Sequence, residues 1–332
     1  MRRMTQELQF LKTLSERIAL PKNDQNELRR LENGFAGEQA LDRLQAVLTQ
    51  EILPCMDDLL LKANSSCVQI DKLLVVDGVT YVVDVKNYRG SYLFSEDEWI
   101  RNGLPLQENI LEQLHNAMRA VKRIFIQEHV SLEVKGVLAF INPAANIEIK
   151  SEVSDLILTT RDISGWLLDL LGKAQAKSDT GHWQRALEKK LFPNFKYKRT
   201  LPSEFSNRLR SGIACRNCGK YHLIESRYSM DCLDCGHREP KETAYVRTIC
   251  QCGVIFNDCD LSLAMLCRFF GETVNKRYLQ EVLAKHFEVK FHKGRSTCYL
   301  NKGVLFVYWF EEKLDYFNGL EKRLNWNHAP LN

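Results

Sequence analysis

The stretch VQIDKLLVVDGVTYVVDVKNYRG, residues 68–90, constrains the fold more than any other part of the chain. Apolar, β-branched runs flank Asp77-Gly78, and an Asp-Gly pair between such runs is the strongest short-range signal for a β-hairpin. With those two residues as the turn, Val76 pairs with Val79 and every cross-strand pair of residue numbers sums to 155. Asp71 then stands opposite Asp84, and Gln69 opposite Lys86. Alternation puts Ile70, Leu74, Val76, Val79, Tyr81, Val83 and Val85 on one face, with Asp71, Asp84 and Lys86 on the other. Like charges directly opposite destabilise a sheet. At about 5 Å and an effective dielectric near 20 the repulsion is roughly 3 kcal/mol. A divalent cation held by oxygen ligands would offset it. A solvated face with incidental charges accounts for Lys72 more readily than for two opposed aspartates.

The chain has 332 residues, enough for two or three domains with real cores. No run approaches the roughly 18 apolar residues of a membrane-spanning helix, and the opening MRRMTQELQFLKTLSERIAL lacks the uninterrupted apolar core of a signal peptide. A cytoplasmic protein with no membrane association is expected, and its 11 cysteines then argue for metal rather than disulfides. The net charge of +4 is unevenly spread: residues 1–195 hold 24 Lys+Arg against 27 Asp+Glu, and residues 196–332 hold 22 against 15. A polyanion would therefore dock on the C-terminal part.

Apolar spacings of three and four predict helices over residues 5–19 and 24–50. In the second, Gly34 and Gly37 precede Glu38. They imply either close backbone approach or a flexible joint ahead of a helix. After the hairpin come a strand and turn in SYLFSEDEWIRNG and a helix from about 107 to 128. Strands at VKGVLAFI and DLILTT follow, with helices near 162–172 and 182–191. Strands interleaved with helices indicate an α/β domain. The expected organisation is a helical segment over 1–32, the α/β domain over 33–192, a basic linker over 193–212, a zinc module over 213–240 and a C-terminal α+β module over 241–332.

Residues 215–236 read CRNCGKYHLIESRYSMDCLDCG: two Cys-x2-Cys pairs separated by 13 residues, each pair followed by glycine. Cys215, Cys218, Cys232 and Cys235 suit the closed tetrahedral site of a structural Zn²⁺. A redox pair is the rival, but redox chemistry needs no second copy. Cys250, Cys252 and Cys259 lack an obvious fourth ligand and read as small buried residues. From 258 to 310 the order is helix, turn, helix and two strands. It resembles a winged helix, with Lys276 and Arg277 on the second helix and Lys293 and Arg295 on the wing as nucleic-acid contacts. The rival reading is a solvated basic face.

Residues 33–125 resemble the nuclease-related domain (NERD) family. The matching pieces are the GFAGEQALDRL helix, the VQID strand, VVDVKNYRG, Trp99 and Gln113; VKGVLAFINPAANIEI and DLILTT fit less specifically. The family is a branch of the PD-(D/E)xK nuclease superfamily, so the resemblance implies a restriction-endonuclease-like α/β fold. It implies Asp71, Asp84 and Lys86 as signature residues, Glu38 as a helix-borne acid and Gln113 as a supporting polar group. Many members have Glu where this chain has Asp84, and the shorter arm would shift a bound metal.

Together these features indicate a nuclease with Mg²⁺ or Mn²⁺ held by Asp71 and Asp84, acting on nucleic acid, with DNA the expected substrate. Lys86 would orient water or stabilise charge on phosphate oxygens. A cation beside paired carboxylates has no evident use in glycoside hydrolysis. The alternative is a non-catalytic DNA- or RNA-binding protein that keeps the scaffold; intact acids and lysine argue against it.

Overall fold

The computed structural model describes residues 2–50, 53–63, 66–106, 109–174, 181–191, 208–293 and 296–326, with 199, 201 and 205. The chain forms two compact units. The first comprises residues 1–2 and 29–195, the second residues 3–28 and 196–332.

Two helices open the chain, α1 (Gln6–Ser15) in the second unit and α2 (Lys22–Thr49), which enters the first unit at Arg29. The first unit continues with β1 (Cys55–Ala63), β2 (Ser66–Val76), β3 (Val79–Lys86), β4 (Gly90–Ser95), β5 (Glu98–Arg101), β6 (Leu104–Pro105) and α3 (Ile110–Gln127). It ends with β7 (Glu133–Phe140), β8 (Ala145–Ile149), β9 (Leu156–Thr159), α4 (Thr160–Ala174) and α5 (His182–Glu188). A five-stranded sheet in the order β1-β2-β3-β7-β9 is central, and β6-β5-β4-β8 form a second sheet. β1 to β3 run as an antiparallel meander, whereas β3, β7 and β9 are parallel; α3 makes the crossover from β3 to β7, and β8 of the second sheet lies between β7 and β9 in the chain. One face of the central sheet buries Leu73, Val75, Val82 and Leu138 against Leu114 and Val121 of α3 and Trp183 of α5. The other buries Leu74, Val76, Val83 and Val137 against Leu41 of α2 and Leu167 of α4. This is the mixed α/β class that the alternating pattern predicts.

The Asp77-Gly78 turn has φ +48° and +80°, both positive as a two-residue hairpin requires. The register is the expected one from Val76–Val79 to Lys72–Val83. There the β2–β3 ladder stops. Along the β1–β2 ladder the pairing likewise skips Asp71, passing from Asp57–Lys72 to Leu59–Ile70, with Asp58 in the left-handed region at φ +51°. The skip corrects two expectations, and burial corrects a third. Ile70 packs in the core with Leu59, Leu73 and Val75, on the face opposite Leu74 and Val76, because alternation restarts beyond the break. Gln69 pairs with Leu60 of β1, while Lys86 pairs with Phe140 of β7. Lys72 is not a solvated charge: it is 1% exposed.

The second unit adds β10 (Leu223–Glu225), β11 (Ser229–Cys232) and β12 (Arg238–Pro240), one antiparallel three-stranded sheet. Next come α6 (Lys241–Ile255), β13 (Leu261–Ser262), α7 (Leu263–Phe270), α8 (Lys276–His286), β14 (Val289–Lys293) and β15 (Ser296–Tyr299). The sheet order is β13-β15-β14. The order is helix, short strand, two helices and a hairpin that closes on the short strand. The sequence pattern missed α6 and β13. Helices α9 (Leu305–Glu311) and α10 (Leu314–Trp326) follow. Ser262 and Asn275 cap α7 and α8 through their side-chain oxygens, satisfying backbone N–H groups that a helix start leaves open. Arg247 of α6 ties to the buried Glu239 at 2.8 Å and to the Ala214 carbonyl at 2.8 Å, fastening this helix to the cysteine-bearing segment. Among the described residues no helix is long and apolar enough to cross a membrane.

Candidate active site and metal centre

The break at Asp71 builds the first site. The Asp71 carboxylate turns toward β3 and accepts a hydrogen bond from the Val85 N–H at 2.9 Å, in place of the missing ladder bond. Its own carbonyl accepts from Nη2 of Arg2 at 2.8 Å. Asp84 and Lys86 leave β3 on its α3 side. There Lys86 Nζ pairs with Asp84 Oδ1 at 2.8 Å and donates to Oε1 of Gln113 on α3 at 2.9 Å. The lysine thus satisfies two donors in a side chain that is 10% exposed. Tyr88 lies beneath its ammonium at 6.0 Å, stacked on Tyr92, and Trp99 is a buried core residue against Phe140.

Glu38 comes from α2, and a glycine explains how close that helix sits. A Cβ on Gly37 would fall 2.6 Å from Cβ of Asn87, so only glycine lets the helix meet the end of β3. Gly34 has nothing within 4 Å, so close approach holds for one glycine and not the other. Asn87 fastens the contact by donating to the Asn33 carbonyl at 2.8 Å.

Burial, then the charges of Asp84 and Glu38, push the Asp71 carboxyl up to about 7, against the opposing Val85 N–H and Lys86. Asp84 is also raised by burial, with Lys86 opposing. For Lys86, burial is the largest single influence and works toward neutrality, but the charges of Asp84, Tyr88 and Asp71 and the hydrogen bond to Asp84 together outweigh it, and the ammonium is held above its ordinary range. Burial raises Glu38, with Arg2 opposing. Burial thus raises all three acids, and at Asp71 the like charges of Asp84 and Glu38 add to it.

Four groups at this site were not anticipated. Arg2, 1% exposed at its side chain, reaches Glu38 at 3.0 Å and Asp42 at 2.9 Å, with Asp57 at 3.6 Å. Lys72 reaches the same Asp42 at 3.0 Å and Asp57 at 2.5 Å. One signal was available: Glu38 and Asp42, four apart on a helix, necessarily share a face. Arg2 and Asp57 carried no local signal. The donor set of Asp71, Asp84 and Glu38, all hard oxygens, suits Mg²⁺ or Mn²⁺. The three carboxylates do not, however, converge within 4.8 Å of one another.

The second site does converge. Sγ atoms of Cys215, Cys218, Cys232 and Cys235 all lie within 4.8 Å of one another, among the described residues the one such set of three or more metal-binding donors. Cys215 and Cys235 are 3.7 Å apart, and Cys218 and Cys232 3.6 Å. A tetrahedral ion with metal–sulfur bonds of about 2.3 Å places its sulfurs about 3.8 Å apart. The two hooks have the same build. Gly219 and Gly236, at φ +70° and +69°, each donate a backbone N–H to the carbonyl of the first cysteine of the turn, Cys215 and Cys232. The positive φ is why glycine recurs in each hook. Cys250 and Cys252 are buried in α6, apart from this cluster, whereas Cys259, expected to be buried with them, is exposed.

Of the four basic residues expected to contact nucleic acid, Lys276 and Arg277 are exposed at the start of α8, and Arg277 pairs with Glu281 at 3.2 Å. Lys293 ends β14, and Arg295 lies outside the described residues.

An α/β unit with a buried acid–lysine centre at the end of a parallel strand is nuclease-like in class. The model of the nuclease-related domain (NERD) family matches residues 33–141. The first unit therefore contains a nuclease-related domain, and Glu38, Asp71, Asp84, Lys86 and Gln113 all fall inside the matched stretch. No curated protein and no solved structure matches the chain.

Proposed function

We propose that the protein is a metal-dependent nuclease that hydrolyses phosphodiester bonds of nucleic acid, with DNA as the favoured substrate, in the cytoplasm. The observation that carries this reading is the pairing of Lys86 with Asp84 and Gln113 beside an Asp71 carboxyl that burial and like charge hold protonated near neutrality. Asp71 and Asp84 would hold Mg²⁺ or Mn²⁺. The cation would polarise a phosphate oxygen and lower the pKa of a bound water. Lys86, charged and fixed by Gln113, is positioned to donate to a phosphate oxygen or to orient the attacking water. Gln113 keeps the ammonium from collapsing wholly onto Asp84.

In the second unit, the sulfur spacing supports Zn²⁺ as the ion of the four-cysteine site, and the reducing cytoplasm would keep those thiols available. The order of helices and hairpin, which resembles a winged helix, and the local excess of basic residues support substrate anchoring there, through Lys276, Arg277, Lys293 and Arg295. The test is a cleavage assay with Mg²⁺ and with Mn²⁺ on single- and double-stranded DNA and RNA, with Lys86→Ala as control. Metal-dependent cleavage lost in that variant is expected. Substrate binding without cleavage under every condition would instead favour a non-catalytic binding protein.

A further inference from the structure

Arg2 brings a guanidinium into the acidic centre of the first unit, and its contacts there are unequal. Asp42 takes two of its nitrogens, at 2.9 and 3.3 Å, and Asp57 adds a weaker partner at 3.6 Å. Nη2 is also held by the Asp71 carbonyl at 2.8 Å. Glu38 has a single hydrogen bond in return, from Nη1 at 3.0 Å. Removing Glu38 from this set would leave the guanidinium still compensated by Asp42 and still anchored to β2. Removing Arg2 would leave Glu38, 16% exposed at its side chain, without that partner.

Resting on the nuclease reading above, we propose that Arg2 is a positioning residue that holds Glu38 off the metal site, so that Arg2 and a divalent cation are alternative partners of this carboxylate. Three observations support it. The Glu38, Asp71 and Asp84 oxygens fail to converge within 4.8 Å while Glu38 is held by Arg2. Gly37 lets the helix bearing Glu38 pack against Asn87, just past the end of β3, and the Glu38 charge is felt at Asp71, so the carboxylate lies near the metal site while its hydrogen bond goes to Arg2. Asp42, Asp57 and Lys72 form a separate ion-pair cluster that accommodates Arg2 in either state, because Lys72 bonds both acids at 3.0 and 2.5 Å without involving Glu38. A cation held by Asp71 and Asp84 would gain Glu38 as a third oxygen ligand only where the hydrogen bond to Arg2 is given up, so with Arg2 present the carboxylate stays with the guanidinium. Asp71 is coupled to the same event through its own carbonyl, which Arg2 also holds.

The test is direct titration of the full-length protein with Mn²⁺, read by the electron paramagnetic resonance signal of the free ion in chelator-free buffer. Arg2→Met keeps the aliphatic bulk and removes the guanidinium; it should bind Mn²⁺ about tenfold more tightly than the wild type, the size of an ordinary coupling between two ligands. Glu38→Gln alone should change Mn²⁺ affinity by less than about threefold, because the carboxylate is already engaged, yet it should cancel the gain in the Arg2→Met background. Affinity unchanged or weakened in a folded Arg2→Met variant overturns the inference. Should that variant not fold, Glu38→Gln decides by itself: a loss of about threefold or more overturns it and a smaller one supports it. Asp84→Asn separates this inference from the nuclease reading. If wild-type Mn²⁺ binding does not depend on Asp84, the metal site is wrong and the inference falls with it. If it does depend on Asp84 and Arg2→Met gives no gain, only the role of Arg2 is wrong.

Discussion

Replacing Asp71 with asparagine should stabilise the metal-free first unit at pH 8, although Asp71 is proposed as a metal ligand. The folded state holds the Asp71 proton to about pH 7, against 3.8 for a free carboxyl. A raised acid pKa means the folded chain binds more protons than the unfolded chain between those values, so stability falls as pH rises through the window. Below pH 3.8 both states are protonated and nothing is lost; above about 7 the penalty is complete. Three pH units at 1.36 kcal/mol each set a ceiling of about 4 kcal/mol. Relaxation of the neighbouring Asp84 should reduce the measured gain to about 2–3 kcal/mol. Asparagine keeps a carbonyl oxygen to accept the Val85 N–H, so the backbone contact survives the change. Urea unfolding, followed by the fluorescence of Trp99, Trp166 and Trp183 in metal-depleted buffer without chelator, measures the difference. At pH 5 the advantage should shrink to under about 2 kcal/mol, because wild-type Asp71 is then already largely protonated when folded. An Asp71→Asn variant no more stable than wild type at pH 8, or equally favoured at both pH values, would refute the argument.

Lys86→Ala should abolish cleavage while keeping the rise in melting temperature that Mn²⁺ produces by binding the folded state, whereas Asp84→Asn should lose both; differential scanning fluorimetry beside the cleavage assay separates them. Gly37→Ala should cost about 1–3 kcal/mol in urea unfolding, because its Cβ would meet Asn87 at 2.6 Å and the helix carrying Glu38 must move. Elemental analysis should find about one zinc per chain, and Cys218→Ser should remove it and unfold the second unit, as seen by hydrogen exchange, while leaving the amides of β3 and β7 protected. Lys276→Ala with Arg277→Ala should weaken nucleic-acid binding and lower its salt slope by about 2 if both contact phosphate. Truncation after residue 195 is a poorer test of the same idea, since residues 3–28 belong to the second unit and would lose their core.

The features legible in the sequence are those set by residues close together in the chain. Asp77-Gly78 announces a turn because few residues accept positive φ, and that turn alone fixes the register as far as Lys72–Val83. The two cysteine hooks are legible for the same reason: each is a tight loop whose glycine meets a local backbone demand. Asp84 and Lys86, two apart on a strand, must share a face wherever that strand goes. The break at Asp71 was not legible, because alternation describes an unbroken strand and says nothing of where a neighbour stops pairing. Extrapolating it put Ile70 in the wrong core and set Asp71 squarely against Asp84. Lys72 read as a solvent charge because its partners, Asp42 and Asp57, come from α2 and β1 and are brought to it only by the fold. Arg2 is the extreme case, meeting Asp71 across 69 residues of chain. Burying a cation is tolerable only where tertiary structure has already gathered acids to meet it, and no local pattern of residues encodes that gathering.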